Sequence, residues 1–317
     1  AVLGAARLLA GDEAGFRDAE RRALAIDPKP AAFYATIAES AVRHRMYERA
    51  VTLARQAVAA DPQHWPGQAG LGLDLVRVGK PDEARPVLER AFAGDPYNVW
   101  VKNTLDLLDT YKDYETVTTP NFAFMLDRKE AALLAPYLSA MMEDGFARMA
   151  RRYAYRPPTP VRLEVFRSHA DFSVRSVGLA GLGALGVSFG SVLAMDSPAA
   201  RKAGEFNWGS TAWHELGHAF TLGKTGHRVP RWFSEGLSVY EERRARPGWG
   251  AGPTMGWLAA VAGGVLRPVS RLNDGFVRPR FPEEVVLSYY HASLVCEMIE
   301  EAWGASALVG MRDPSGQ

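Results

Sequence analysis

His214-Glu215-Leu216-Gly217-His218 sets two imidazoles four residues apart, with a carboxylate directly after the first. On an α-helix, positions i and i+4 share a face, so both histidines can reach one ion. Zinc accepts imidazole nitrogens at about 2.0–2.1 Å and favours a tetrahedron. Glu215 lies about 100° further round the helix, too far to join the pair comfortably but within reach of a water on the metal. The chemistry this spacing suggests is metal-assisted hydrolysis.

A catalytic zinc site usually has three protein ligands and one open position. Four downstream side chains qualify by type for the third place: His227, Glu235, Glu241 and Glu242. A histidine six residues after the second, with a glycine midway, would define the metzincin pattern, but Lys224 and Thr221 hold those positions. His227 is out of that register and lies in a glycine-containing loop, where a surface or substrate contact is expected. Glu235 falls one turn into the next helix, and the intervening loop is long enough for that helix to return antiparallel. Gly236 beside it predicts close approach to the histidine helix. Glu241 and Glu242 adjoin Arg243 and Arg244 near the helix end, where solvated ion pairs are expected.

The elements that must carry these residues follow from the hydrophobic period. Asn121–Leu126 alternates as a strand, and Lys129–Tyr153 reads as a long amphipathic helix that Pro136 should kink or divide. Pro157-Pro158-Thr159-Pro160 breaks the chain before a second strand, Val161–Phe166, and a short helix or turn at Ala170–Val177. The glycine-rich loop Gly178–Gly186 contains the string Gly181-x-Gly183-x-x-Gly186. A dinucleotide fingerprint needs a helix after it, and the run that follows is strand-like, so the loop reads as a flexible flap. Val187–Met195 is expected as a strand at the sheet edge. Asn207 or Ser210 should start the metal helix and Gly223 end it, and Pro230 should open the next, which runs to about Arg244.

The first third has a different grammar. Asp27-Pro28, Asp61-Pro62 and Asp95-Pro96 recur every 34 residues, with Ala23, Ala57 and Ala91 equivalent before them. Phe16, Ala50 and Ala84 are equivalent further back, while Glu20 breaks the apolar pattern kept by Ala54 and Leu88. Small residues let two helices approach closely, and each proline stops the second helix. Period and spacing resemble the tetratricopeptide repeat over roughly residues 1–112, with a capping helix near 98–112. Gly4 and Gly72 fit the usual glycine position and Ala38 departs from it; Tyr34 fits the aromatic position and Gln68 does not. The resemblance implies a surface for peptides or partner proteins.

Composition sets outer limits. The chain has 317 residues, enough for two domains, and at 47% hydrophobic and 23% charged it reads as globular. A net charge of +1 gives no sign of nucleic acid or an acidic membrane as the main partner. Cys296, the only cysteine, excludes an intramolecular disulfide and a cysteine-based zinc site. It lies in an apolar helical run with Ala292, Leu294, Val295, Met298 and Ile299, so a buried core position is expected. No stretch reaches the roughly 20 apolar residues that span a bilayer. No leader precedes Ala1, and the chain is read as a fragment from which one could have been removed.

Over about residues 115–305 the chain resembles the gluzincin zinc metallopeptidases, and in particular the bacterial peptidase-MA-like domains with a thermolysin-like core. The residues that carry the resemblance are His214-Glu215-x-x-His218 and the run Pro230-x-Trp232-Phe233-x-Glu235-Gly236-Leu237-Ser238-x-Tyr240-x-Glu242, in a similar order of strands and helices. It implies an α+β zincin domain over 113–317, following the all-α array of residues 1–112. It implies one zinc held by His214, His218 and Glu235, with Glu215 as general base for attack of zinc-bound water on a peptide bond. It also implies that the edge strand near 187–195 binds extended substrate by strand addition. The oxyanion donor is often a tyrosine on a later helix; Tyr290-x-x-Ser293 fits that pattern best, with Tyr289 and His291 as alternates. Thermolysin-like enzymes place an aspartate one turn after the ligand glutamate to orient a histidine, where this chain has Ser238 and Val239. The expected function is a zinc peptidase whose repeat array engages protein substrates or partners, with a bacterial periplasm or envelope the favoured compartment. Two alternatives stand beside it: a repeat-bearing scaffold with a weak or inactive peptidase-like domain, and a zinc hydrolase of non-peptide amides.

Overall fold

The computed structural model describes residues 1–310. Those residues form fifteen α-helices and one five-stranded sheet. The chain divides into two compact units: Ala1–Thr116 with Met125–Arg128 and Glu164–Ala184, and Val117–Phe124 with Lys129–Leu163 and the chain from Leu185 onward.

The first unit is built from helical hairpins. α1 (Val2–Leu9) pairs with α2 (Glu13–Ile26), α3 (Ala31–Arg43) with α4 (Tyr47–Ala60), and α5 (Trp65–Arg77) with α6 (Pro81–Gly94); α7 (Val99–Thr110) follows. The 34-residue period has a structural cause. Asp27, Asp61 and Asp95 leave the helical conformation at φ −134°, −143° and −136°, and their N–H groups donate to the carbonyls of Ala23, Ala57 and Ala91. The proline behind each aspartate cannot extend the helix. Ala50, Ala57, Ala84 and Ala91 are buried between helices. At Gly72 a Cβ would stand 2.5 Å from the Leu88 side chain, so α5 and α6 need the glycine to pack. The residues that break the repeat are paired polar groups. The Tyr34 hydroxyl donates to Glu20 at 3.0 Å, and the Gln68 amide donates to the Pro62 carbonyl at 3.0 Å.

This unit also takes in α9 (His169–Val177), well beyond residue 112 in sequence. Arg175 on α9 makes a fully buried ion pair with Glu164 at 2.5 Å and donates to the Val76 carbonyl at 2.9 Å. Asn103 on α7 donates to the Gly178 carbonyl at 3.0 Å. A buried pair of this kind is strongly destabilising to break from one side, by about 3–5 kcal/mol, because it leaves the other charge uncompensated.

The sheet comprises β1 (Tyr114–Thr118), β2 (Phe122–Asp127), β3 (Val161–Phe166), β4 (Gly186–Ser188) and β5 (Val192–Asp196), in the order β1-β2-β3-β5-β4. β1 escapes a hydrophobic-period reading because only Tyr114 of its five residues is buried. The single strand expected over Val187–Met195 is instead a hairpin. Gly190 adopts φ +87°, the Phe189 N–H donates to the Val192 carbonyl at 2.7 Å, and β4 pairs antiparallel with β5 in the register Gly186↔Met195. A left-handed turn residue is accessible to glycine at little steric cost, and it turns one apolar run into two strands. β4 is therefore the sheet edge.

In the second unit α8 (Arg128–Tyr153) runs unbroken through Pro136. Its rings meet those of α10 (Trp208–Lys224): Phe146 and Tyr153 lie 5.3 and 5.8 Å from Phe220. Asn207 caps α10, its side chain accepting from the Ser210 N–H at 3.1 Å, and the helix passes Gly223 to end at Lys224. α11 (Arg231–Ala245) starts after Pro230 and packs on α10 and on α14 (Glu284–Trp303). Cys296 on α14 is buried, and burial pushes its thiol up to about 12, so it is a core residue without thiolate character.

Candidate metal centre

The helical spacing of His214 and His218 turns both rings toward α11. His214 Nε2 and His218 Nε2 lie 3.3 and 3.1 Å from the same oxygen, Oε2 of Glu235. One donor atom from each of the three residues falls within 4.8 Å of the others, the one such metal-holding cluster found among the described residues. Tetrahedral ligands at about 2.0–2.1 Å from an ion stand about 3.3–3.4 Å apart. The two nitrogen–oxygen separations match that spacing, and two imidazoles with a carboxylate suit a zinc-type ion.

The outer ring nitrogens are held from behind. His214 Nδ1 lies 2.6 Å from Glu242 Oε1, and the Ser210 hydroxyl donates to Glu242 as well. His218 Nδ1 lies 2.9 Å from the Ser234 hydroxyl and 3.3 Å from that of Ser238. With Nδ1 engaged on the far side, Nε2 of each ring faces the cluster, the arrangement metal-binding histidines usually show. Burial lowers the pKa of His214, but its bonds to Glu235 and Glu242 outweigh this and carry it well above the ordinary histidine range. Burial raises Glu235, but the charge of His218 and the bonds from both imidazoles hold it well below the usual carboxylate range. The pocket thus favours a carboxylate with positive charge beside it, the electrostatics a cation needs.

Two glycines let the helices close. A Cβ at Gly217 would stand 2.9 Å from the Ser238 hydroxyl and 3.3 Å from its Cα, so Gly217 sets the approach of α10 and α11. The role expected of Gly236 is different from the one found: its Cβ would meet Ala292 at 2.7 Å, which brings α11 against α14 and not against the histidine helix. Glu215 is buried, and a Cβ at Gly186 would come within 2.5 Å of its Oε1. The first residue of the edge strand β4 therefore touches the glutamate proposed as base.

The remaining candidates part company. Glu241 pairs with Arg152 at 2.6 Å and accepts from the Tyr153 hydroxyl at 3.3 Å. Glu242, expected as a solvated ion pair, is buried on His214. Its signal in the sequence is the seven-residue spacing from Glu235, which returns a helix to the same face after two turns. His227, at φ +65°, lies beside Gly190 in the hairpin turn and outside the cluster. Tyr290 turns away: its ring lies 5.0 Å from Trp257 and under Arg243. Tyr289 is the tyrosine at the cluster, its ring 6.2 Å from His214. Burial, with the charges of Glu235 and Glu215, raises its hydroxyl far above the usual value against the opposing influence of Arg231, so it stays a donor. For His291, burial lowers the pKa below the ordinary histidine value.

Comparison with protein-family models, with curated proteins and with solved structures finds no match for this chain. No helix among the described residues is long and apolar enough to cross a membrane.

Proposed function

We propose that this protein is a zinc-dependent metallopeptidase of the gluzincin type, its helical unit a tetratricopeptide array that engages protein substrates or partners. The observation that carries the reading is the convergence of His214 Nε2 and His218 Nε2 on one oxygen of Glu235, with Glu215 next in sequence to the first histidine. His214, His218 and Glu235 would hold the ion. A divalent metal there would supply Lewis acidity, polarising a carbonyl and making water more acidic.

The chain's own residues supply the rest. Glu215 takes the proton of the attacking water and delivers it to the leaving nitrogen. Tyr289, kept protonated, donates to the oxyanion that forms at the carbonyl. Glu242, Ser234 and Ser238 hold the imidazoles in the orientation that aims Nε2 inward. β4, at the sheet edge and against Glu215, offers backbone groups to an extended peptide.

Purified protein should carry about one zinc per chain, three protein ligands sufficing for one ion. Glu215→Gln should abolish cleavage of a panel of unfolded proteins while keeping the metal. A protein that holds no metal and cannot be loaded with one sinks the reading. Metal without cleavage would make the domain a peptidase-like scaffold.

A further inference from the structure

Helix α12 (Met255–Ala262) buries Ala260, half-buries Trp257 and leaves its other residues exposed. Met255, Leu258 and Val261 are 81%, 48% and 46% exposed, while Ala260 is buried. Met255, Leu258 and Val261 follow at intervals of three residues, which is one stripe of the helix, and Val265, 37% exposed, follows in the turn after it. Trp257, half-buried against Tyr290, and Ala260 face inward. No residue from Gly252 to Val265 is charged. A surface helix ordinarily buries such a stripe and leaves its polar face in water. α12 has no polar face, and its outward side is apolar too.

The charges beside the stripe indicate what it meets. From Arg246 to Arg280 the chain carries five arginines, at 246, 267, 271, 278 and 280, against one acid, Asp274. Arg280 donates to the Val265 carbonyl at 2.6 Å, and Arg267 to the Arg278 carbonyl at 3.2 Å, so these arginines adjoin the end of the stripe. Arg267 and Arg280 share the buried Glu284, and Arg267 and Arg271 share Asp274. Arg271, Arg278 and Arg280 remain exposed. An uncharged stripe edged by arginine matches the boundary between acyl chains and anionic headgroups. At eight residues α12 is far short of the roughly 20 that span a bilayer, so the contact is peripheral.

We infer that α12 and the arginines at its end form a docking surface for an anionic lipid bilayer. This stands apart from the metal centre and does not depend on it. The test is vesicle flotation of the full chain, with phosphatidylcholine alone or with added phosphatidylglycerol. Binding should require phosphatidylglycerol and weaken as salt is raised. Leu258→Glu with Val261→Glu should lower partitioning at least about tenfold, since two apolar side chains lose their burial. Arg278→Gln should lower it about fivefold. Unchanged circular dichroism and thermal unfolding would show that the variants fold; the salt and lipid dependence of the wild type tests the idea without them. Absence of vesicle binding, equal binding to phosphatidylcholine alone, or a dimer in buffer that Leu258→Glu dissolves would each overturn it.

Discussion

Replacing Glu242 by glutamine keeps the shape behind His214 and removes the charge. The carboxylate lies 2.6 Å from His214 Nδ1 and is buried, so the bond is charge-assisted and poorly screened. A hydrogen bond to a charged group contributes about 1.5–3 kcal/mol, against about 1 kcal/mol for a neutral one. The loss is then about 0.5–2 kcal/mol, or about 2- to 30-fold in an equilibrium constant. Outer partners of metal-binding histidines typically matter about 10- to 100-fold in affinity. Both routes point to a zinc affinity about 10- to 30-fold weaker in Glu242→Gln. Competition against a chelator of known affinity at neutral pH reads this directly. Ser238→Ala is the control. Its hydroxyl is 3.3 Å from His218 Nδ1, and Ser234 at 2.9 Å remains, so affinity should move by less than about threefold. Equal effects of the two substitutions, or no effect of Glu242→Gln, would refute the assignment of Glu242 as the residue that positions His214.

Three further outcomes are expected. Gly186→Ala forces a Cβ to within 2.5 Å of Glu215 Oε1, so peptide cleavage should fall at least about tenfold with metal content unchanged, and overpacking should cost about 1–3 kcal/mol of stability; full activity in this variant would remove Glu215 from its place beside β4. Tyr289→Phe should lower kcat by about 10²–10³ if its hydroxyl serves the oxyanion, whereas Tyr290→Phe should change it little; the reverse pattern would restore Tyr290 to the role its sequence context suggests. Burial pushes Asp74 up to about 6 against the pull of Arg77. A carboxyl raised in the folded state contributes stability below its unfolded value of about 3.9, and that contribution is lost as pH rises through about 6. Denaturant unfolding of wild type minus Asp74→Asn should therefore slope downward between about pH 4 and 6, by at most about 3 kcal/mol. A flat difference would show that Asp74 is not so perturbed.

Local patterning made the two histidines, the glutamate beside them and the hairpin period readable before any tertiary structure. Helical spacing is a short-range property, so residues four apart share a face wherever the helix lies. Asp-Pro every 34 residues likewise marks helix ends, because the proline acts on its own neighbours. β3 was legible with the same bounds for a related reason, since five of its six residues are buried and four of the six are apolar. The hairpin of β4 and β5 was hidden inside one apolar run, because the turn depends on the backbone conformation of a single glycine. β1 was hidden because its strand character comes from its neighbours in the sheet and not from its own side chains.

What the sequence by itself determined was the set of groups able to bind a metal. Which carboxylate completes the cluster and which one supports it was decided by the antiparallel return of α11 along α10. That packing puts Glu235 against both Nε2 atoms and Glu242 two turns away behind His214. The choice between Tyr289 and Tyr290 was also tertiary. Adjacent residues on a helix point about 100° apart, so the rotation of α14 about its axis brings the Tyr289 ring toward His214 and sends Tyr290 to Trp257 and Arg243. Gly236 lies close against Ala292 in that packing, two residues far apart in sequence, and no spacing within either helix encodes the rotation.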